Sequence, residues 1–261
     1  MKILCERMWY GLTETEISLF EEVDTYLLRK ILKAHSKTPK EMLYLETGAI
    51  PIKLIIKQRR ISYLWHLLSR DQNELIQKVY LAQKRKTVQG DWAMTVKEDM
   101  EILNIDEEKI KNMKKDSFKK HLKEKIADAS FKYLEKIKEI HFKVKNIDFN
   151  KLKIQPYLTN IQLSYQEKQL LFKLRTRMTN SKSNFKTMHQ DLVCDLCDEE
   201  FQQTDAHLLE CSYLIDACPE LKNDSEVEYE DIFGEIEEQI HVTKVYNLLF
   251  QIKSELDEVN P

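Results

Sequence analysis

The chain has 261 residues, of which 33% are charged, only four are glycine and only five are proline. So few turn-forming residues favour long helices with short connections over a β-sandwich or barrel. There is no secretory signal and no apolar run of the roughly eighteen residues that a membrane span needs, so the sequence predicts a soluble, intracellular protein, cytoplasmic, nuclear or both, with no membrane partner. An odd number of cysteines with metal-type spacing favours a reducing compartment over a disulfide framework.

The net charge of -3 conceals a division along the chain. Residues 194–261 contain 19 acidic and three basic side chains, whereas the first 193 residues contain 25 acidic and 38 basic ones. A basic body attracts phosphates, and an acidic end repels them, folds back on the body or docks a protein partner. Two ordinary solvated surfaces would have the same composition, so charge alone does not decide between these interpretations.

Capping patterns and apolar residues at helical spacing predict the elements of the first part of the chain. Thr13 and Glu16 have the spacing of a capping box, and Asp71 and Glu74 repeat it. Pro51 suits the first turn of a helix because its missing N–H costs nothing there. The predicted helices are 13–36, 51–69 and 71–84, followed by a turn at 89–90.

The second part of the chain carries further helix signals. Asp106 is predicted to cap a short helix and Asp116 a longer one. Pro156 is predicted to stop any helix, and Ser164 with Glu167 forms another capping box. The remaining predictions are an apolar helical stripe at 92–103, an irregular segment at 141–163, and helices at 164–178 and 239–256.

Four residues have the types and spacing of a metal site: Cys194, Cys197, His207 and Cys211. Two cysteines three apart can present two thiolates from one turn, and a His and a Cys four apart share one face of a helix. A Cys3His set suits tetrahedral Zn2+ and leaves no position open for water, so the predicted zinc is structural. The nine-residue spacer must contain a small hairpin or turn of its own.

Other residues leave alternatives to this ligand set. Cys218 and His189 flank the site, and either one could replace a ligand, although neither has the helical spacing. Cys5 lies far away and is predicted to be a lone thiol. The plainer interpretation of the whole set is that a few buried thiols occur together by chance.

Basic residues interleaved with aromatic ones suggest nucleic-acid binding at two places. The first set follows Pro51 on one predicted helix, close to Tyr63 and Trp65, and comprises Lys53, Lys57, Arg59 and Arg60. The second leads into the metal site and comprises Lys173, Arg175 and Arg177, with Lys182 and Lys186 beyond them. A run of lysines from Lys114 to Lys125 offers a weaker phosphate surface. The competing interpretation is that the aromatic rings pack in the core and the lysines solvate the outer face.

Seven short strings, taken in order, resemble one known family: Leu45-Glu-Thr-Gly48-Ala-Ile-Pro51, Lys57-Gln-Arg59-Arg60, Gly90-Asp-Trp92, Gln155-Pro-Tyr157-Leu158, Leu171-Phe-Lys-Leu-Arg175, the Cys194/Cys197/His207/Cys211 group and Tyr229-Glu-Asp-Ile-Phe-Gly234. Together they are similar to the segment downstream of the polymerase domain in reverse transcriptases of non-LTR (LINE-type) retrotransposons. The similarity runs from about Trp9 to Leu256.

The resemblance implies a helical thumb and linker followed by a Cys/His module, in an enzyme that copies its own RNA at a nicked chromosomal target. The chain departs from the family in lacking the fingers and palm. No adjacent Asp-Asp pair occurs, and two-metal phosphoryl transfer needs clustered carboxylates. The resemblance therefore assigns no catalytic residue here, although the related enzymes are RNA-directed DNA polymerases.

These observations predict a mainly α fold in four parts: a thumb-like helical region at 1–90, a helical linker region at 91–190, a zinc-knuckle module at 191–218, and an acidic linker with a C-terminal helix at 219–261. The predicted function is noncatalytic binding of RNA or an RNA–DNA duplex. One alternative is a remnant or co-opted protein–protein interaction module with a structural zinc, whose acidic end binds a protein. Another is an incomplete gene product whose full form includes the polymerase.

Overall fold

The structure is a computed structural model that describes residues 12–71, 73–86, 88, 90–140, 152–189, 191–197, 199–217 and 227–259. The described residues are mainly helical with a Cys/His group toward the C-terminal end, so the predicted mainly α fold is confirmed. Their one isolated β-bridge joins Val193 and Gln202. Among them, no helix combines the length and the apolar character that crossing a membrane requires.

The described residues divide into two compact units. The first unit comprises the described parts of Met1–Leu27 and Ala49–Ile137, and the second those of Leu28–Gly48 and Lys138–Pro261. This division differs from the predicted four parts. The predicted break after residue 90 falls inside the first unit, where the rings of Tyr80 and Trp92 pack edge to face at 5.6 Å. The predicted breaks after residues 190 and 218 fall inside the second.

The helices are named here in chain order. The first seven are α1 (Glu14–Leu32), α2 (Lys40–Thr47), α3 (Ile52–Leu68), α4 (Leu75–Lys86), α5 (Trp92–Leu103), α6 (Glu107–Lys111) and α7 (Lys115–Ile140). The others are α8 (Pro156–Thr159), α9 (Tyr165–Thr176), α10 (Asp205–Glu210), α11 (Ser212–Ala217) and α12 (Ile236–Val259). Two 3-10 turns lie at Lys182–Phe185 and Tyr229–Phe233.

Three of the predicted helix starts have the expected capping bonds. The Thr13 N–H donates to the Glu16 carboxylate at 2.7 Å, and the Glu16 N–H donates back to the Thr13 hydroxyl at 3.3 Å. Ser164 makes the same reciprocal pair before α9, and the Asp106 carboxylate accepts the Lys109 N–H at 2.7 Å before α6. Each cap satisfies backbone donors that have no partner inside the helix, which stabilises the start by roughly 1 kcal/mol.

Other local predictions were wrong. Asp116 lies inside the first turn of α7 instead of capping it, and α1 ends at Leu32, short of the predicted Ser36. Pro156 begins the short helix α8 instead of stopping one. Proline is compatible with a first helical turn because that N–H has no intrahelical acceptor.

The core of the first unit lies between α3, α5 and α7. The fully buried side chains include Ile61 and Leu64 of α3 and Val96 of α5. Trp65 stacks on Phe118 of α7 with 4.9 Å between the ring centroids, and Tyr63 packs edge to face on Trp92 at 5.5 Å. Both aromatic residues near the first basic set are therefore packed against the protein interior, as the competing interpretation predicts.

The core of the second unit joins the Cys/His region to helices that lie far from it in the sequence. Cys194 and Cys211 belong to the same apolar cluster as Phe172 of α9 and Tyr246 of α12. Two of the four candidate metal ligands, Cys194 and Cys211, therefore share one core with the last helix, and the two regions are not separate modules. Residues 219–226 of the predicted acidic linker lie outside the described part of the chain.

Gly48 ends α2 in a left-handed conformation with φ of 66°. A β-carbon there would lie 2.4 Å from the Ile154 backbone nitrogen. Any other residue would have to displace this backbone, so glycine is required at the point where α2 meets the segment before α8.

Candidate metal centre and basic surfaces

Cys194 and Cys197 lie on a loop that a short hairpin closes. The Cys194 N–H donates to the Phe201 carbonyl at 2.9 Å, and the Gln203 N–H donates to the Leu192 carbonyl at 2.8 Å. The sequence predicted a hairpin or turn within the nine residues between Cys197 and His207. The second half of this hairpin, around Gln202, lies in that spacer. The Lys182 ammonium bonds the Val193 carbonyl at 2.8 Å and fixes the loop from outside.

His207 and Cys211 come from α10 and from the residue that follows it. Thr204 caps α10 by accepting the His207 N–H on its hydroxyl at 2.9 Å. Cys211 is not helical, contrary to the prediction that the pair shares a helix face. It has extended backbone angles after Glu210, and its carbonyl accepts the Ile215 N–H of α11 at 3.0 Å. The thiol is therefore set by the junction of two short helices.

The four side chains converge on one point. One ligand atom from each of Cys194, Cys197, His207 and Cys211 lies within 4.8 Å of the others, and the Cys197 Sγ to His207 Nε2 distance is 3.4 Å. Cys194, His207 and Cys211 are buried, and Cys197 is half-buried. Three thiols and an imidazole at this spacing could hold a metal ion.

The electrostatics of the thiols favour a cation between them. Burial opposes ionisation of Cys194, but N–H groups of Leu196 and Cys197 donate to its sulfur and leave its pKa lowered. Burial raises the pKa of Cys211 to about 12, and negative charge on Cys194 and Cys197 adds to this rise. Three thiolates cannot share the site alone because they repel one another, whereas a divalent ion would neutralise them.

A buried polar network supports the ligands from behind. The Asp205 carboxylate accepts hydrogen bonds from the hydroxyls of Thr179 and Ser181 and from the Asn184 amide. The Asp205 carbonyl accepts a 2.7 Å hydrogen bond from the Tyr246 hydroxyl of α12. The start of α10 is thus tied both to the segment after α9 and to the last helix, which fixes His207 two residues later.

Of the other candidate ligands, His189 alone lies in the described part of the chain. His189 is exposed and is not among the residues that converge. Cys5 and Cys218 lie outside the described residues. Phe201, also exposed, packs beside the ligand ring with 5.7 Å between its centroid and that of His207.

The basic residues predicted on α3 are divided between two environments. The Lys57 ammonium lies 2.6 Å from one oxygen of Asp99 and the Arg60 guanidinium 3.2 Å from the other. Lys53 lies over the Tyr133 ring, with Nζ 3.7 Å from its centroid. Arg59 is exposed. The structure thus turns Lys57 and Arg60 toward a buried acid and Arg59 toward solvent.

Arg175 of the second basic set is buried at 3% exposure. Its Nε lies 2.9 Å from the Glu46 carboxylate, and its Nη1 donates to the Ile232 carbonyl at 2.6 Å. The Tyr157 hydroxyl donates to the same carboxylate at 2.9 Å. Arg175 therefore lies in the interior of the second unit and offers no surface to a phosphate. Its hydrogen bonds to Glu46, Gln155 and Ile232 connect its own segment to three others that carry the family resemblance.

Lys173 and Arg177, on either side of Arg175, are half-buried and line separate cavities. Arg177 has a left-handed backbone with φ of 51° at the end of α9. The two basic sets belong to different units, because α3 lies in the first unit and α9 in the second.

Sequence reasoning missed the acids that bind these cations. Asp99 falls on the same helical stripe as Trp92, Val96 and Leu103, and a carboxylate on an apolar stripe is a signal for a buried ion pair. Glu46 gave no such signal because every side chain of the short helix α2 from Glu41 to Glu46 is buried.

The fold and the site together define a mainly helical protein with a Cys3His group capable of holding a metal ion. Comparison with known protein families, with curated proteins and with solved structures found no match to this chain.

Proposed function

We propose that the chain is a noncatalytic nucleic-acid-binding segment with one structural Zn2+, as its resemblance to the post-polymerase part of non-LTR reverse transcriptases implies. Cys194, Cys197, His207 and Cys211 would hold the ion. Ligand atoms of a tetrahedral zinc with bonds of about 2.0–2.3 Å stand about 3.5–3.8 Å apart, so a small contraction of the present group would suffice. Four protein ligands leave no site for an activated water, so the ion would stabilise the fold.

The observation that carries the proposal is the exposed lysine face at the start of α7. Lys114, Lys115, Lys119, Lys120 and Lys123 are all exposed. None of them forms a salt bridge within the described segments. Burial lowers the pKa of the nearby His121, and positive charge on Lys109 and Lys125 lowers it further. A cationic face of this kind, although the exposed acids Asp116 and Glu124 lie beside it, attracts the phosphate backbone without reading sequence.

The test is the affinity of the full zinc-loaded chain for a fluorescent RNA–DNA hybrid, measured by anisotropy across a range of salt. We expect affinity to fall steeply with salt. Lys119→Glu with Lys123→Glu should weaken binding roughly 10–100-fold and reduce the salt slope by about two. Lys78→Glu with Lys97→Glu is the control, because it makes the same charge change at exposed lysines of α4 and α5. Equal loss in both double variants, or binding insensitive to salt, would contradict the proposal.

A second candidate function is protein–protein interaction. It is favoured by exposed apolar side chains on one face of α1: Leu19, Val23, Tyr26 and Leu27 are 54–60% exposed. In the acidic end, Val242, Val245 and Tyr246 of α12 are buried in the core, so these apolar side chains are not open to a partner. Sedimentation velocity of the wild type and of Leu19→Lys with Val23→Lys would test it. Association that the variant abolishes, without any affinity for nucleic acid, would favour this second function.

A further inference from the structure

A cavity of about 360 Å³ opens in the second unit beside the Cys194/Cys197/His207/Cys211 group. Its walls come from the residue after α9, the 3-10 turn Lys182–Phe185, the hairpin, the start of α10 and the 3-10 turn Tyr229–Phe233. Small-molecule sites typically measure about 300–1,000 Å³, so the space is of the right order for one nucleotide but not for a duplex.

The cavity walls mix positive, negative and neutral polar groups. Arg177 and Lys186 supply positive charge, and Asp205 and Glu230 supply negative charge. A bare anion would meet repulsion from the two carboxylates. A nucleoside suits the mixture better, because the edge of a base presents both hydrogen-bond donors and acceptors while its phosphate can reach a cation at the rim.

Some of these groups are fixed in position and others remain available. The Asp205 carboxylate is occupied by Thr179, Ser181 and Asn184, so it forms a rigid wall. Lys186 and Gln202 are exposed, and their side chains form no hydrogen bond or ion pair within the described residues. The Tyr229 hydroxyl donates to the Leu174 carbonyl at 3.0 Å, which holds its ring in the wall.

Arg177 is one of the residues that line the cavity. It occupies the left-handed position after α9, where glycine is the residue that adopts φ of 51° without strain. Burial raises the pKa of Tyr229, and the positive charge and side-chain hydrogen bond of Arg177 oppose that rise, which places the guanidinium at the Tyr229 wall. The arginine side chain is thus directed at the cavity.

We infer that this cavity binds one unpaired nucleotide of a single strand, with Arg177 and Lys186 toward the phosphate and Gln202 and Glu230 toward the base. This inference rests on the proposed nucleic-acid-binding function and deepens it, since a duplex cannot enter the cavity. A single strand would therefore use a surface of the second unit that a blunt RNA–DNA hybrid does not use.

The decisive variant is Ser183→Trp in the full zinc-loaded chain. Ser183 lines the cavity, and an indole there fills the space without changing the charge. The matched control is Thr187→Trp, at an exposed position that does not line the cavity. The probes are a fluorescent oligouridine and a blunt RNA–DNA hybrid of the same length, with the metal content of each protein measured in parallel.

We expect Ser183→Trp to weaken oligouridine binding at least about tenfold, with hybrid binding and metal content unchanged, and Thr187→Trp to change neither. Uridine monophosphate should compete with oligouridine for the wild type, and inorganic phosphate at the same ionic strength should not. Unchanged oligouridine binding by a metal-loaded Ser183→Trp protein would overturn the inference, as would equal competition by phosphate.

If Ser183→Trp fails to retain metal, Gln202→Glu replaces it and changes the charge of the wall at constant size. Gln166→Glu, at an exposed position on α9, is its control. Loss of oligouridine affinity in Gln202→Glu alone supports the inference, and equal affinities contradict it. A wild type that binds neither probe would sink the proposed function itself, whereas wild-type binding that no cavity variant alters would sink only the nucleotide site.

Discussion

In the first unit, α3, α5 and α7 have 17, 12 and 26 residues and share one apolar core, whereas the second unit connects α9 and α12 through elements of four to six residues. Helices that short are not stable alone, because the first turn fixes several residues for each hydrogen bond gained. The first unit is therefore held by apolar packing between helices. The second unit has an apolar core of its own, and buried polar networks together with a Cys/His group that could hold a metal ion link its short elements.

The largest expected difference between the units follows removal of the ion. In the proposed zinc-loaded protein, Cys197→Ser should lose the ion and unfold the region around 192–217, because a structural zinc contributes on the order of 10 kcal/mol. Amide exchange of α3, α5 and α7 should stay slow. Metal content and hydrogen exchange are the measurements.

The control is Cys5→Ser, which removes a thiol outside the predicted ligand set. Equal metal in the Cys197→Ser and wild-type proteins would mean that the metal binds adventitiously. The second unit would then not differ from the first in being stabilised by an ion.

The buried ion pair of the second unit gives the next effect. Arg175→Met keeps the length of the side chain but leaves the Glu46 carboxylate charged and unpaired at 0% exposure. We expect a loss of about 3–5 kcal/mol in the free energy of unfolding. Urea unfolding followed by hydrogen exchange in α9 measures it. The double variant Arg175→Met with Glu46→Gln should recover part of the loss, and no recovery would mean that the pair itself is not the cause.

Alkaline pH should destabilise the second unit more steeply than the first. Burial raises the pKa of Tyr157, Tyr229 and Tyr246 in the second unit, whereas Tyr80 is the corresponding residue described in the first. Because the folded pKa lies above the unfolded value near 10, this stability is complete below pH 10 and is lost as the pH rises toward the folded values. The slope for three tyrosines is about 4 kcal/mol per pH unit.

Tyrosinate absorbance and unfolding free energies between pH 9 and about 11 test this ordering. Titration of Tyr157, Tyr229 and Tyr246 near pH 10 in the folded protein would refute it.

The smallest effects are expected at the ion pairs of the first unit. Asp99→Asn should cost about 2 kcal/mol, less than Arg175→Met, because Lys57 is 21% exposed and can turn to water while Arg60 stays buried. Glu107→Gln, which affects the more exposed pair with Lys84, should cost less than about 1 kcal/mol. A cost for Asp99→Asn that exceeds that of Arg175→Met would reverse the comparison.

Local signals in the sequence were reliable where neighbouring residues make the whole interaction. Thr13, Asp106 and Ser164 cap helices as predicted, because both partners of each hydrogen bond lie within three residues. The Cys/His group was found for a similar reason: each half of it comes from a short run of chain. The bend that puts Cys211 after α10 could not be read from spacing, since four residues fit a helix equally well.

The sequence by itself determined the helical class, most helix positions and the four side chains that converge on one point, because periodicity and short-range spacing encode them. Tertiary structure alone decided which cations are exposed. Arg175 and Arg59 look alike in the sequence, but Glu46, 129 residues from Arg175, draws it into the interior while Arg59 faces solvent. A charge is buried only where a distant partner compensates its lost hydration, and such a partner is chosen by the fold.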